Sequence, residues 1–227
     1  MRSLLLLIPS LILGGLALDH LALPWSQPVV VVASWCLFAA LFMQAGASRR
    51  AMMLLCLVYA TGGEVLLSLV WRVYDYRLGN LPLFVPPGHV LLFLLGLAIA
   101  PHISGRMVQL ITGAAALAVT ALALSGRDTF SLLLALVFIP SVIFGRERAL
   151  YATMFVLALV MELYGTWLGN WQWHRQVGTT GLVTLNPPIA AGAFYCALDL
   201  LVMQSMRLLG ARFAPTPIVR VGDEVQL

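Results

Sequence analysis

The chain has 227 residues, of which 61% are hydrophobic and 10% are charged, and its formal net charge is +4. Soluble globular domains have about 45–50% apolar and about 25% charged residues, so this composition excludes that class and predicts an all-α polytopic membrane protein. All thirteen basic residues are arginine, which excludes a photoreceptor that holds retinal as a lysine Schiff base. No basic run suited to tracking phosphates occurs, so no nucleic-acid partner is expected.

The apolar segments predict about eight transmembrane helices of roughly 20 residues each. The expected spans are 4–23, 28–45, 51–73, 87–103, 107–124, 130–144, 149–168 and 187–209. The first span is long for a signal peptide and lacks a good cleavage site, so we expect it to be retained. Proline suits the first turn of a helix, and Pro87 and Pro187-Pro188 stand where two of the spans begin. Residues 211–227 are predicted to form a polar cytoplasmic tail.

Arginines between the spans predict the orientation, because cytoplasmic loops of membrane proteins are enriched in basic residues. With both termini in the cytoplasm, four arginines lie on the outer side: Arg72, Arg77, Arg127 and Arg175. The nine on the inner side are Arg2, Arg49, Arg50, Arg106, Arg146, Arg148, Arg207, Arg212 and Arg220. This bias predicts a multi-pass protein of a bacterial-type inner (plasma) membrane, with cytoplasmic N- and C-termini.

One pattern of residues occurs twice in the chain. Glu64 is followed by the doublet Tyr74-x-Tyr76 and by prolines at 86 and 87, and Glu162 by Trp171-x-Trp173 and prolines at 187 and 188. The two glutamates are 98 residues apart (162 − 64), which corresponds to about four helices with their loops. Because that number is even, the two glutamate helices should run in the same direction. We therefore predict one bundle of two parallel four-helix repeats, about 1–104 and about 105–210.

Three acidic residues are expected to be buried within the spans, namely Glu64, Glu162 and Asp199, whereas Asp19 stands near the outer end of the first span. An ionisable side chain inside a membrane costs about 2.5–3.5 kcal/mol on insertion scales and marks a candidate functional site. A desolvated carboxylic acid can donate a proton, and two that face one cavity can form an acid/base pair. We predict Glu64 and Glu162 as catalytic residues, with Asp199 as a catalytic partner of Glu162. In the alternative interpretation, each glutamate only hydrogen-bonds a neighbouring helix.

Aromatic and basic residues near the outer ends of the glutamate helices are candidates for substrate binding. Aromatic rings stabilise cations, but tryptophan and tyrosine are also common at membrane interfaces, and both roles stay open. The arginines can bind phosphate headgroups or pair with nearby acids. The predicted substrate-binding residues are Trp71, Tyr74, Tyr76, Arg77, His89, Trp167, Trp171, Trp173 and Arg175.

No cofactor and no metal are predicted. The chain has no phosphate loop, dinucleotide fingerprint or Ser-His-Asp order. His20, His89 and His174 all fall on the outer side, but no HxxH or HxxxH spacing supports a metal site. The three cysteines lack CxxC spacing, and we interpret them as buried apolar residues.

At the glutamates and doublets the sequence resembles the carotenoid-biosynthesis membrane proteins of the carotenoid hydratase and lycopene-cyclase-domain type. Those proteins carry a membrane-embedded Glu followed by Gly-Thr, a Gly and a Tyr-x-Tyr doublet, then Leu-Gly and Val-Pro. In the second half the matching residues are Glu162, Gly165-Thr166, Gly169 and Trp171-x-Trp173, with Trp in place of Tyr. In the first half they are Glu64, Tyr74-x-Tyr76, Leu78-Gly79 and Val85-Pro86.

The resemblance implies cofactor-free acid chemistry on a polyene. Glu64 or Glu162 would protonate a C=C bond, aromatic rings would shield the cation, and water or an internal alkene would capture it. The expected function is therefore an integral membrane hydratase or cyclase for an isoprenoid or carotenoid-like substrate, with membrane lipids as its surroundings. The alternative is a non-enzymatic lipid-binding, transport or accessory subunit, with a protein partner in a membrane complex. A transporter needs polar access from both faces, whereas the inner halves of the glutamate spans are almost wholly apolar.

Overall fold

The computed structural model describes residues 6–210, so the predicted polar tail and Arg2, Arg212 and Arg220 lie outside the described residues. Within this range the chain is mostly helical, with eight α-helices and two short strands. In chain order these are α1 (Leu7–His20), α2 (Ser26–Gln44), α3 (Ala47–Glu64), β1 (Tyr74–Tyr76), α4 (Val85–Ile99), α5 (Gly105–Leu124), α6 (Phe130–Phe144), α7 (Arg148–Leu168), β2 (Trp171–Trp173) and α8 (Gly192–Leu208).

Five helical segments are long and apolar enough to cross a membrane. They are α2, α3 with its extension to Val70, α4 with its extension to His102, α5 and α7. Helices α1 and α6 are apolar but shorter, and α8 has 17 residues. The eight predicted helices are thus present in the described residues, and five of them have the length and hydropathy that a full span requires.

The start predicted for the last helix, at Pro187-Pro188, is wrong. Helix α8 begins at Gly192, because the segment before it is held in a loop by side chains at the start of α6. The Ile189 N–H donates to Asp128 Oδ2 at 2.9 Å, and the Ala190 N–H donates to Ser131 Oγ at 3.1 Å. These bonds use backbone donors that an earlier helix would have left unpaired in its first turn.

The two glutamate helices end in different ways. After Glu64 the chain widens into a short π-helix, Val65–Val70, and the Trp71 N–H donates to the Leu66 carbonyl oxygen at 2.7 Å. Turns of this kind are often found at functional sites. Helix α7 ends at Leu168 and is followed by Gly169, whose φ of +76° is the left-handed conformation that glycine adopts without strain. Each ending leads the chain into a strand.

The two strands form an antiparallel ribbon that joins the two halves of the chain. Asp75 pairs with Gln172 at its centre, and Tyr74 and Tyr76 pair with Trp173 and Trp171. Successive side chains of a strand point to opposite faces. In both three-residue strands the first and third residues are buried and the middle residue is exposed. All four aromatic side chains therefore point into the bundle.

Helices α3, α4, α7 and α8 form the centre of the bundle. Helix α3 packs on α4 and α8, and α7 packs on α8 and α4. The α1–α2 pair lies against α4 and α7, and the α5–α6 pair lies against α7 and α8. Buried apolar side chains such as Met53, Phe93 and Met154 fill the space between the central helices.

The bundle has two chemically different ends. The ribbon, the C-terminal ends of α3 and α7 and the start of α6 lie at what we call the ribbon end. At the other, which we call the arginine end, α8 finishes near the start of α7, and Arg207 lies 3.4 Å from Glu147. Six arginines are found near the helix termini of this end: Arg49, Arg50, Arg106, Arg146, Arg148 and Arg207.

Candidate active site at the ribbon end

Glu64 is held by two tyrosines of the ribbon. It is buried at the last position of α3, and its Oε2 accepts hydrogen bonds from the Tyr74 hydroxyl at 2.6 Å and the Tyr76 hydroxyl at 2.7 Å. Because inward-facing residues of a strand are two positions apart, the Tyr-x-Tyr spacing places both hydroxyls on one carboxyl oxygen. The sequence doublet is therefore a pair of hydrogen-bond donors.

The other oxygen of Glu64 faces a histidine. His89 Nε2 lies 3.3 Å from Glu64 Oε1, and His89 Nδ1 lies 3.0 Å from the carbonyl oxygen of Val85, one turn earlier in α4. A carbonyl oxygen only accepts hydrogen bonds, so Nδ1 carries a proton. The imidazole ring is stacked on Tyr195 of α8 with ring centres 4.9 Å apart and an interplanar angle of 4°, which fixes its orientation.

Glu162 is held in the same way by two tryptophans. Its Oε2 accepts from Trp171 Nε1 at 2.8 Å and from Trp173 Nε1 at 3.1 Å. Within residues 6–210, Oε1 receives no hydrogen bond. Gly165, one turn after Glu162, makes the arrangement possible, since a Cβ at that position would lie 2.0 Å from the Trp171 ring. The Glu-x-x-Gly spacing thus leaves room for the indole beside the carboxyl group.

Both glutamates line one cavity of about 60 Å³. A single water occupies roughly 10–15 Å³ by this measure, so the space holds a few waters or the end of an apolar chain. Most of the wall is apolar and comes from α1, α2 and α4, including Leu16, Val30 and Phe84. The carboxyl groups therefore face a small, largely apolar space that is closed by the ribbon.

The tyrosines of the ribbon remain neutral donors over a wide pH range. Burial raises the pKa of Tyr74 and of Tyr76 well above the ordinary value, and the negative charge of Glu64 raises it further. Ionisation of either hydroxyl would place two negative charges in contact within a desolvated site. Both hydroxyls therefore keep donating to Glu64 at any physiological pH.

The structure brings together seven of the twelve predicted site residues. Six line the cavity, namely Glu64, Tyr74, Tyr76, His89, Glu162 and Trp171. Trp173 lies behind them and contacts Glu162 through its indole nitrogen.

The other five predicted residues lie outside the cavity. Arg77 lies 3.4 Å from Asp19 of α1, and Arg175 donates to the carbonyl oxygens of Arg127 and Thr184, so both arginines hold loops in place. Trp71 packs edge-on against Phe130 with ring centres 5.9 Å apart. Trp167 is 78% exposed, because α7 presents that position to the exterior.

Asp199 is buried but is not part of the cavity wall. It has no exposed surface, and neither carboxyl oxygen has a hydrogen-bond partner among the described residues. It lies one turn beyond Tyr195 in α8, towards the arginine end, and Tyr195 is the residue of this helix that reaches the cavity. Asp199 is therefore not placed to bond directly with Glu162.

Three residues that line the cavity were not predicted from the sequence. Tyr195 of α8, Phe84 before α4 and Ser34 of α2 all line the cavity. Tyr195 could have been found as the aromatic residue one turn before the buried Asp199. Nothing in the leucine- and valine-rich patterns of α1 and α2 distinguishes residues that face a cavity from those that face outward.

No three His, Cys, Asp or Glu side chains within residues 6–210 are close enough together to hold a metal ion. No protein-family model, curated protein or solved structure matches this chain. The interpretation of the site therefore depends on its own residues.

Proposed function

We propose that the chain is a multi-pass membrane protein of two related four-helix halves with cytoplasmic termini. Five helices long and apolar enough to cross a bilayer support the membrane placement, as do the arginines gathered at one end. The repeat is supported by the matching hydrogen bonds to the two glutamates. Each half supplies one glutamate whose Oε2 accepts two donors from an aromatic doublet. The packing of the central helices also repeats. Helix α3 packs on α4 of its own half and on α8 of the other half, and α7 packs on α8 of its own half and on α4 of the other half.

We further propose that the protein is an enzyme that uses Glu64 and Glu162 for acid/base chemistry on a lipophilic, unsaturated substrate of the isoprenoid or carotenoid kind. The observation that carries this proposal is the single apolar cavity lined by both carboxyl groups. Carboxyl groups in such a space are poorly solvated, and paired titratable groups in different surroundings can divide the roles of acid and base.

Glu162 is the better general acid of the two. Oε2 accepts from two indole N–H groups, which can only donate, so both of its lone-pair sites are used. A proton on this carboxyl group therefore sits on Oε1, the oxygen without a protein donor. The acid thus has its proton on a defined atom beside the cavity.

Glu64 and His89 together form the base. Since Nδ1 of His89 donates to the Val85 carbonyl oxygen, Nε2 is the ring nitrogen that can accept a proton, and it lies 3.3 Å from Glu64 Oε1. A proton that reaches this pair can be held by either of the two atoms. The pair can therefore accept a proton from water or from carbon.

The proposed reaction begins with proton transfer from Glu162 to a C=C bond, which leaves a carbocation on the more substituted carbon. The faces of Tyr74, Tyr76 and Trp171 would stabilise that charge. In a hydratase, water adds to the cation and gives its proton to the Glu64–His89 pair. In a cyclase, a second alkene attacks the cation and the pair removes a proton from carbon. Return of that proton to Glu162 completes either cycle.

Entry to the cavity is best from one side. Its wall includes Gly15 and Leu16 of α1 and Val30 and Ser34 of α2, the two helices that pack on the outside of the central four. An apolar chain could reach the carboxyl groups between these two helices from the lipid, with only its reacting end in the small cavity. This one-sided access distinguishes the enzyme from the alternative transporter, whose site must open to both faces.

The test is extraction and mass spectrometry of the lipids and pigments that co-purify with wild type, Glu64→Gln and Glu162→Gln. Wild-type protein is expected to carry a polyene or isoprenoid and its hydrated or cyclised product. The two variants should retain the same molecule unconverted, because an amide fills the same space but cannot donate or accept the proton.

Asp75→Asn is the matched control, since Asp75 is an exposed carboxylate on the outer face of the ribbon, 2.8 Å from His174. This variant should convert as wild type does. If wild type and both glutamine variants carry only bulk phospholipid in the same amounts, the acid-chemistry proposal is wrong. A lipid-binding or accessory role would then remain.

A further inference from the structure

A second cavity, of about 550 Å³, lies at the arginine end between α5, α6 and α7. We call it the α5–α7 groove. It shares no lining residue with the carboxylate cavity, and its volume is within the range of about 300–1,000 Å³ found for small-molecule sites. Its walls include Val108 and Ala116 of α5 and Val142 and Ile143 of α6. The groove is thus a separate and mostly apolar space.

One end of the groove is basic. Arg148 lines it, and Arg106 directly follows the lining residue Gly105. Arg148 has no carboxylate partner within residues 6–210, and its only hydrogen bond there is a long one, 3.4 Å, to the carbonyl oxygen of Gly145. The adjacent acid, Glu147, lies 3.4 Å from Arg207 and is therefore already paired. No carboxylate of residues 6–210 therefore neutralises the charge of Arg148 at this end of the groove.

The groove has the shape of a channel for an apolar chain. Its α5 wall runs from Gly105 to Ala116, which is about 16 Å at a rise of 1.5 Å per residue. Only Val108 and Val119 of α5 are buried, so this helix is open to its surroundings along most of its length. An apolar chain in the groove would therefore cover surface that the protein leaves exposed.

We propose that the α5–α7 groove binds one anionic glycerophospholipid from the leaflet at the arginine end. Its phosphate would lie between Arg106 and Arg148, and one acyl chain would follow α5 towards Ala116. Basic pockets between membrane helices on the cytoplasmic side are suited to anionic headgroups, and charge complementarity selects this lipid over a zwitterionic one. The proposal depends on the membrane placement proposed above but not on the acid chemistry, because no residue of the carboxylate cavity takes part.

The experiment is native mass spectrometry of the full chain in detergent with added phosphatidylglycerol or phosphatidylcholine. Wild type is expected to retain one phosphatidylglycerol more strongly than phosphatidylcholine. Gly113→Leu should lose this bound lipid, since Gly113 lines the groove and no atom lies within 4 Å of a Cβ placed there. Arg148→Gln should keep the acyl site but reduce the preference for phosphatidylglycerol about fivefold, the effect of one arginine near an anionic surface.

Two variants provide matched controls, namely Gly62→Leu on α3, where a Cβ also meets no atom within 4 Å, and Arg127→Gln at the ribbon end. Both should bind lipid as wild type does. Equal retention of the two lipids by wild type, or retention unchanged in Gly113→Leu, would overturn the proposal. If Gly113→Leu does not fold, the headgroup preference of Arg148→Gln decides, and an unchanged preference there counts against the site. The readout is lipid mass, so it is independent of whether Glu64 and Glu162 catalyse a reaction.

Discussion

Tyr76 and Trp171 lie directly opposite each other in the ribbon, and each donates a hydrogen bond to the glutamate of its own half of the chain. Their ring centres are 6.1 Å apart. One strand pairing therefore links the positions of two carboxyl groups that are 98 residues apart in the chain (162 − 64). A change that moves either strand is expected to disturb both glutamates, and this link underlies the first two predictions.

Gly165→Ala is expected to lower both stability and conversion. The added Cβ would lie 2.0 Å from the Trp171 ring, so the indole must leave Glu162 or α7 must shift. Overpacking of this kind typically costs about 1–3 kcal/mol. Thermal unfolding in detergent and product analysis measure the two effects. Gly62→Ala is the control, because its Cβ meets no atom within 4 Å and alanine in a helix should stabilise by about 0.5–1 kcal/mol. Similar results for the two variants would contradict the packing argument.

Trp173→Phe is expected to slow conversion about 10- to 100-fold. The change removes one of the two donors to Glu162 Oε2, which becomes negatively charged as the proton leaves, and a hydrogen bond to a charged group contributes about 1.5–3 kcal/mol. Trp173 does not line the cavity, so the space for substrate is retained. The measurement is turnover at saturating substrate. Trp167→Phe, at a position 78% exposed, should leave turnover unchanged. Wild-type turnover in Trp173→Phe would show that orientation of the Glu162 proton does not limit the reaction.

Asp199→Leu is expected to raise the free energy of unfolding by about 1 kcal/mol or more, since a buried polar group without hydrogen-bond partners costs about 1–3 kcal/mol and leucine has the same branched shape without polar atoms. Asp128→Asn should have the opposite effect. Asp128 is also fully buried, but it accepts from the Ser131 N–H, the Ser131 hydroxyl and the Ile189 N–H. Chemical unfolding in detergent measures whether each variant raises or lowers the free energy of unfolding. Destabilisation by Asp199→Leu would show that this carboxyl group has an unrecognised stabilising partner.

Alkaline pH is expected to unfold the protein through the ribbon tyrosines. Burial raises the pKa of Tyr74 and Tyr76 in the folded state, so their contribution to stability is complete below the ordinary tyrosine pKa of about 10. That contribution is lost as pH rises from there through the folded-state values. Absorbance at 295 nm should show these hydroxyls ionising together with unfolding. In Tyr74→Phe/Tyr76→Phe the amplitude of this step should fall, and an unchanged amplitude would mean that both hydroxyls titrate in the folded protein.

Much of the fold could be predicted from the sequence, because helices in an apolar chain depend on local hydropathy and on proline and glycine positions. The predicted bounds of α6 coincide with the observed ones, and those of α5 and α7 differ by at most two residues at either end. The buried glutamates and the inward-facing doublets were also recognisable, since a charged residue in an apolar run and an aromatic-x-aromatic spacing are both local features. These two local features identified the side chains that could form a site.

Only the tertiary structure decided how those side chains are used. The pairing of β1 with β2 joins segments almost a hundred residues apart, and no local pattern specifies it. The same is true of the cavity wall from α1 and α2, and of the loop that Asp128 holds in place before α8. Asp199 and Glu162 are both acids in apolar helices, yet one lies outside the cavity and the other lines it. That difference depends on which neighbours each helix face meets after packing, and this is a property of the folded bundle.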